Sequence, residues 1–174
     1  MKPITRVGLA LAILLQFLVL TGMYLKAQIP LWTGEEILVK TIPVDPRSMF
    51  RGNYARLRYP FSELDASLFG EEQLRQGEVV YVALETTGAG VYRLAGASLE
   101  PPEEGIFLRG RVSDSWFRDS GEAYRVRYGI EAFFAPKEEA LRLEKVLRKA
   151  ARARLKVSGD GRARLVSVEE PTAR

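Results

Sequence analysis

The residues whose types and spacing best suit binding chemistry lie in one loop and strand, between Pro43 and Tyr59. Proline, glycine and charged side chains alternate there with aromatic ones, a composition typical of a shaped loop that leads into a strand. Asp45 and Arg47 can place a carboxylate and a guanidinium in the same loop, which predicts a polar binding surface. The candidate partner-binding residues are Asp45, Pro46, Arg47, Arg51, Gly52, Asn53, Tyr54, Leu57 and Tyr59.

A second pattern is the repeated pair Arg-x-Arg. Side chains two apart on a strand share a face, so each pair presents two guanidinium groups from one side of a sheet. The candidate cationic face consists of Arg56, Arg58, Arg109, Arg111, Arg125 and Arg127. Guanidinium groups fit phosphate and carboxylate, so this face suits an anionic lipid, a cell-wall polymer or an acidic protein surface. The alternative is a solvated sheet face balanced by glutamates on neighbouring strands.

Many chemistries need side chains that this sequence lacks, because it contains no histidine and no cysteine. Zinc sites of thiolate and imidazole, haem and iron–sulfur ligation, disulfides and Ser-His-Asp triads are therefore excluded. A serine–lysine hydrolase with Ser48 as nucleophile stays open as an alternative, although no lysine follows Ser48 in a predicted buried strand. Carboxylates alone form no calcium-loop pattern, so we expect no metal and no cofactor.

The elements that must position these residues begin with an apolar segment, residues 7–25, which contains no charge. As a helix it spans about 28 Å, close to the hydrocarbon thickness of a bilayer. Its length and the poor cleavage site after it favour an uncleaved anchor over a removable signal peptide. The lipid bilayer is thus the first predicted partner, through residues 7–25.

Charges that flank this segment predict its orientation. Lys2 and Arg6 precede it and only Lys26 follows closely, which predicts a cytoplasmic N-terminus and an extracytoplasmic domain. Without these three, the 26 basic residues become 23, against 22 acidic ones. Because the remaining chain is almost neutral, no nucleic-acid partner is expected.

The pattern of the remaining chain predicts an α+β fold with a mostly antiparallel sheet. Strands are expected where apolar residues alternate, at 36–44, 54–59, 78–85, 91–94, 105–112, 123–134, 155–158 and 162–168. Ser62 resembles a helix cap and predicts a short helix towards Phe69. An amphipathic helix from Pro136 should cover the sheet, and Asp160-Gly161 predicts a closing type I′ hairpin.

These elements give four predicted segments. Residues 1–26 form a cytoplasmic tip and the transmembrane anchor, and residues 27–34 form a linker at the membrane surface. Residues 35–170 form the extracytoplasmic domain, and residues 171–174 are a tail. Within the domain, Leu57 and Tyr59 should face the core together because they lie two apart on one strand.

One stretch resembles a known family. Residues 52–59 read Gly-Asn-Tyr-Ala-Arg-Leu-Arg-Tyr and follow Pro-Val-Asp-Pro-Arg at 43–47. This resembles the motif Gly-Asp-Tyr-x-x-Leu-x-Tyr of the GDYXXLXY protein family, with Asn53 in place of the aspartate. The resemblance extends over nearly the whole chain and includes the apolar N-terminal segment and the strand pair around Asp160-Gly161.

The resemblance implies a membrane-anchored bacterial protein with no established activity to carry over. Members of the family are often encoded beside multi-pass membrane proteins, which implies assembly with such a partner. Asn53 cannot act as a general base or as a charged metal ligand, which favours binding over catalysis. We therefore expect a multi-pass partner to bind the loop and strand from Asp45 to Tyr59. An envelope hydrolase and a module for anionic lipid or cell-wall polymer are the alternatives.

Overall fold

The computed structural model describes residues 3–43, 54–70, 72–88, 90–118, 121–134 and 151–169. It begins with one long helix, α1, at Pro3–Thr33. The stretch Val7–Gln28 of α1 has a mean hydropathy of 2.1, and the described part of the chain buries none of it. Its exposed apolar side chains match the interior of a bilayer, so α1 suggests a membrane anchor.

The helix is longer than the apolar segment. It continues through residues 27–33, which the sequence predicted as part of a linker, and ends one residue before Gly34. Pro30 lies within it although proline removes one helical hydrogen bond. Because α1 includes these residues, only Gly34 separates it from the first strand.

Ten strands follow α1 in the described residues. They are β1 (Glu35–Lys40), β2 (Tyr54–Arg56), β3 (Glu63–Asp65), β4 (Val79–Thr86), β5 (Val91–Ser98), β6 (Ile106–Arg118), β7 (Gly121–Arg127), β8 (Ala132–Phe134), β9 (Arg152–Val157) and β10 (Ala163–Glu169). Eight of them form one sheet in the order β10-β9-β1-β5-β4-β6-β7-β3, and β2 pairs with β8 in a second. Every pair is antiparallel except β1 with β5.

The large sheet is curled, so that strands far apart in its order meet again. The backbone N–H of Arg109 in β6 donates to the carbonyl of Gly161, in the turn between β9 and β10, at 2.7 Å. In the order of the sheet, three strands lie between β6 and β9. The curl encloses one apolar core. Its largest fully buried side chains are Tyr59, Tyr124, Phe61, Ile37, Leu57, Leu64, Leu108, Ile130, Leu155, Val39 and Val80.

The predicted α+β class and mostly antiparallel sheet are confirmed. The helix predicted from Ser62 to Phe69 is wrong, because β3 pairs with β7 there and buries Leu64 opposite Tyr124. A single 3₁₀ turn, Ala66–Phe69, follows, and Asp65 rather than Ser62 caps it by accepting from the Ser67 N–H at 3.0 Å.

The closing hairpin is present as β9 and β10, but its turn differs from the expected one. A type I′ turn needs positive φ at both central residues, whereas Gly161 (φ 77°) is the only described residue of the turn with positive φ. The Gly161 N–H donates to the Ser158 carbonyl at 2.8 Å, which makes a β-turn ending in a left-handed glycine. The covering helix predicted from Pro136 lies outside the described residues.

Candidate functional site

The structure places the predicted binding residues in two groups. Asp45, Pro46, Arg47, Arg51, Gly52 and Asn53, and the candidate nucleophile Ser48, lie outside the described residues. The rest of the motif, residues 54–59, forms β2 and the three residues after it. Tyr54 begins β2, with its backbone opposite Phe134 of β8.

Leu57 and Tyr59 are buried, as their spacing predicted, with 1% and 0% of their surface exposed. The Tyr59 ring stacks on Phe61 at 5.1 Å between ring centroids, and its hydroxyl donates to the Ile130 carbonyl at 2.8 Å. Phe61 in turn meets the edge of Tyr128, whose hydroxyl donates to the Phe61 carbonyl at 2.6 Å. The end of the motif is therefore fixed to the core by rings and buried hydrogen bonds.

Burial also perturbs these two phenols. Desolvation raises the pKa of Tyr59 and of Tyr128 above the ordinary value, and the nearby charge of Glu131 adds to the effect. Because a phenolate in this environment would be poorly solvated, both hydroxyls stay protonated donors. Their chemistry is thus structural, and the binding capacity of the motif strand lies in its other side chains.

Arg56 and Arg58 point away from the core and are exposed. They line a groove of about 530 Å³, here called the motif groove, together with Arg125 and Arg127 of β7. Four of the six arginines predicted to form a cationic face therefore meet in one place. The full lining is Arg56, Leu57, Arg58, Ser62, Glu63, Arg125, Val126, Arg127, Glu131 and Ala132.

The motif groove also contains two carboxylates. Glu63 forms an ion pair with Arg58 and lies 3.8 Å from Arg125, measured between side-chain oxygen and nitrogen. Glu131 accepts backbone N–H groups of Tyr128 at 2.5 Å and Gly129 at 3.0 Å, which ties it to the turn before β8. The groove is therefore cationic overall but internally balanced in part.

The other two predicted arginines lie elsewhere. Arg111 is paired directly opposite Arg127 across β6 and β7, and its guanidinium donates to the Gly77 carbonyl at 2.9 Å. Arg109 lines a separate cleft of about 500 Å³ beside α1. The predicted single cationic face is thus divided by the curl of the sheet.

We call this second site the membrane-proximal cleft. Its lining residues are Met23, Lys26, Ala27, Arg109, Tyr128, Gly129, Arg162, Ala163 and Arg164. The Arg164 guanidinium donates to the Ala27 carbonyl at 3.1 Å and so joins β10 to α1. Arg162 and Arg164 have the same Arg-x-Arg spacing as the predicted arginines, but nothing in the sequence indicates that they meet Lys26.

One carboxylate lies next to this cleft without lining it. Asp160 pairs with Arg162 at 3.2 Å between Oδ2 and Nε. Burial opposes ionisation of Asp160, but hydrogen bonds from the Ser158 hydroxyl and the Arg162 N–H prevail and lower its pKa below the ordinary value. Asp160 is therefore charged and balances Arg162, whereas Lys26, Arg109 and Arg164 have no ion-pair partner among the residues that the structure describes.

Catalytic and metal-binding groups find little support in the described residues. Lys26, Lys40 and Lys156 are the lysines described there, and none is buried as a serine–lysine base must be. The described ranges hold no group of three or more metal-ligating side chains from Asp, Glu, His and Cys.

Comparison with known proteins gives one match. Curated proteins yield no match, and neither do solved structures. A family model described as GDYXXLXY protein matches residues 16–168, from within α1 to the last strand. Since this match covers nearly the whole chain, the protein belongs to the GDYXXLXY protein family.

Proposed function

We propose that this protein is a single-pass anchor in the bacterial inner membrane whose extracytoplasmic domain binds an acidic segment of a multi-pass membrane protein. The observation that carries this proposal is the position of the family motif. Arg56 and Arg58 of the motif line the motif groove together with Arg125 and Arg127. A segment bound there would contact the motif along its exposed side.

The charges of the groove favour an acidic partner. Among the described residues, Glu63 pairs with Arg58 and lies near Arg125, whereas no carboxylate pairs with Arg56 or Arg127. These two guanidinium groups are available to a partner's carboxylates, with which guanidinium makes paired hydrogen bonds. Several such contacts across a groove also fix the register of a bound segment.

The rest of the motif supports this surface indirectly. Leu57 and Tyr59 are too deeply buried to touch a partner, so their part is to hold the strand against the core. The residues from Asp45 to Asn53 are also proposed to take part in partner binding, because they directly precede Tyr54 in the sequence.

α1 and its flanking charges support the proposed location. A domain joined to a membrane helix meets membrane proteins at high effective concentration, which favours a partner in the same bilayer. Lys2 and Arg6 before the span support a cytoplasmic N-terminus. Protease added to cells whose outer envelope is permeabilised, but whose inner membrane is intact, should remove a C-terminal tag. Protection of the tag until the inner membrane is broken would contradict the orientation.

Photo-crosslinking in native membranes tests the partner. A benzophenone amino acid replaces Arg56 in the full chain, and the matched control carries it at Thr86, an exposed position of β4 outside the groove. We expect a membrane-protein adduct at position 56 that weakens at least tenfold when Arg125→Gln and Arg127→Gln are added. An equal adduct at position 86, or none at 56, would contradict partner binding. Serine-reactive fluorophosphonate labelling that is lost in Ser48→Ala would favour the hydrolase instead.

A further inference from the structure

The membrane-proximal cleft differs from the motif groove in its charge composition. Its lining contains Lys26, Arg109, Arg162 and Arg164 and includes no carboxylate among the described residues. Arg162 is balanced by Asp160 outside the cleft, so the other three cations around this space of about 500 Å³ have no ion-pair partner in the part of the chain that the structure describes. Such an arrangement stabilises an anion that enters the cleft.

The position of the cleft relative to α1 identifies the source of the anion. Met23, Lys26 and Ala27 lie on one side of α1, since residues three and four apart are neighbours on a helix. Lys26 follows Val7 by 19 residues, which places it about 28 Å along the span and therefore at the edge of the hydrocarbon layer. The cleft thus lies at the depth of lipid headgroups.

A close contact between the β9–β10 turn and β6 fixes the position of the cleft. Gly161 has φ 77°, and a Cβ there would come within 2.6 Å of the Phe107 ring, so only glycine lets the β9–β10 turn approach β6 this closely. The resulting hydrogen bond between Arg109 and Gly161 fixes Arg109 beside Arg162. The contact from Arg164 to the Ala27 carbonyl then closes the third side against α1.

We propose that the membrane-proximal cleft binds the phosphate headgroup of an anionic phospholipid of the bilayer that α1 crosses. Arg109 and Arg164 contact the phosphate oxygens through planar guanidinium groups, and Lys26 adds a mobile charge at the interface. The bound lipid then fixes the angle between α1 and the sheet, because the three cations come from α1, β6 and β10. This proposal does not depend on a protein partner in the motif groove.

Native mass spectrometry of the full chain in neutral detergent micelles tests the proposal by counting retained lipids. We expect dioleoyl phosphatidylglycerol to be retained at least tenfold more strongly than dioleoyl phosphatidylcholine. Each cation near a lipid surface is worth about fivefold in affinity, so Arg109→Gln with Arg164→Gln should weaken retention roughly thirtyfold. The matched control, Arg56→Gln with Arg127→Gln in the motif groove, should leave it unchanged.

Two further measurements keep the result decisive. Lys26→Gln alters only an exposed helix position and cannot disturb the sheet, and it should weaken retention about fivefold. Inorganic phosphate at the same concentration should displace less than a tenth of the bound lipid. Equal retention of the two lipids, no effect of Lys26→Gln, an equal loss in the control, or full displacement by phosphate would each overturn the proposal.

Discussion

The two basic clefts of this domain are built from the same Arg-x-Arg spacing but differ in what accompanies the arginines. The motif groove places four arginines beside Glu63 and Glu131, so much of its charge is balanced from within. The membrane-proximal cleft has four cations around a space that no described carboxylate lines. Equal spacing in the sequence has therefore produced one surface suited to a charged protein segment and one suited to a phosphate.

The two clefts also differ in their connection to the core. The motif groove is lined by the segment whose side chains Leu57 and Tyr59 are buried in the core, whereas the membrane-proximal cleft is lined by Tyr128, residues next to the Gly161 turn, and the end of α1. The groove should consequently be sensitive to changes in the core, and the cleft to changes in the turn. Substitutions that separate these two sensitivities test the comparison directly.

The largest effect is expected from Tyr59→Ala. Removing a fully buried ring that stacks on Phe61 should lower the free energy of unfolding by about 3–5 kcal/mol. Arg164→Ala in the other cleft removes an exposed side chain and should change it by less than about 0.5 kcal/mol. Urea unfolding of the full chain in detergent, followed by far-ultraviolet circular dichroism, measures both. Equal costs would mean that the clefts do not differ in their dependence on the core.

Gly161→Ala should have the next largest effect and should act on the membrane-proximal cleft. A non-glycine residue at positive φ costs about 1–3 kcal/mol, and the added Cβ also collides with Phe107. Lipid retention should fall with stability because Arg109 and Arg162 move apart. Gly159→Ala is the matched control in the same turn, since its Cβ would meet nothing within 4 Å. A similar loss in both variants would remove the special role of Gly161.

Much of this architecture could be read from the sequence because burial alternates along a strand. The parity of Leu57 and Tyr59 predicted that both face the core, and Asp160-Gly161 predicted the hairpin. Local sequence patterns predicted the wrong element where pairing with a strand distant in the sequence determined the structure. The cap-like residues at Ser62 predicted a helix, but pairing with β7 buries Leu64 and makes a strand instead.

The division of the arginines into two clefts could not be read from the sequence. Parity gives the face on which a side chain lies but not which strands become neighbours when a sheet curls. Arg109 and Arg111 share one strand, yet Arg109 meets the end of α1 and Arg111 lies opposite Arg127. That separation depends on the contact between Gly161 and β6, which joins residues about fifty positions apart.

A smaller effect is expected from Tyr59→Phe, measured as a function of pH. Loss of the hydrogen bond to Ile130 should cost about 1 kcal/mol at neutral pH. The raised pKa of Tyr59 adds a second signature: its stabilising effect is fully present below the unfolded-state pKa of about 10 and is lost as the pH rises above it. The unfolded chain releases this proton first, so alkali favours unfolding.

Tyr59→Phe should accordingly lose stability less steeply than the unmodified protein between pH 10 and 11, by up to about 1.4 kcal/mol per pH unit. Tyr128, whose pKa is also raised, keeps the remaining alkaline slope. Parallel slopes for the two proteins would show that ionisation of Tyr59 is not coupled to folding. The difference in slope between the two proteins therefore reports on Tyr59, on the core side of the motif strand.

The smallest effect tests the central difference between the clefts, their carboxylates. Glu63→Gln removes a charge that pairs with Arg58 and lies near Arg125, while preserving the size of the side chain. If internal carboxylates are what prevents the motif groove from binding phosphate, this substitution should raise the affinity of the full chain for tripolyphosphate about fivefold, as one added net charge near the site predicts.

Glu85→Gln is the matched control, because Glu85 also pairs with an arginine, Arg93 at 2.8 Å, but lines neither cleft. Isothermal titration calorimetry should show no change for Glu85→Gln. A gain in both variants would reflect net charge alone, and no gain in Glu63→Gln would mean that the shape of the groove, rather than its carboxylates, distinguishes it from the membrane-proximal cleft.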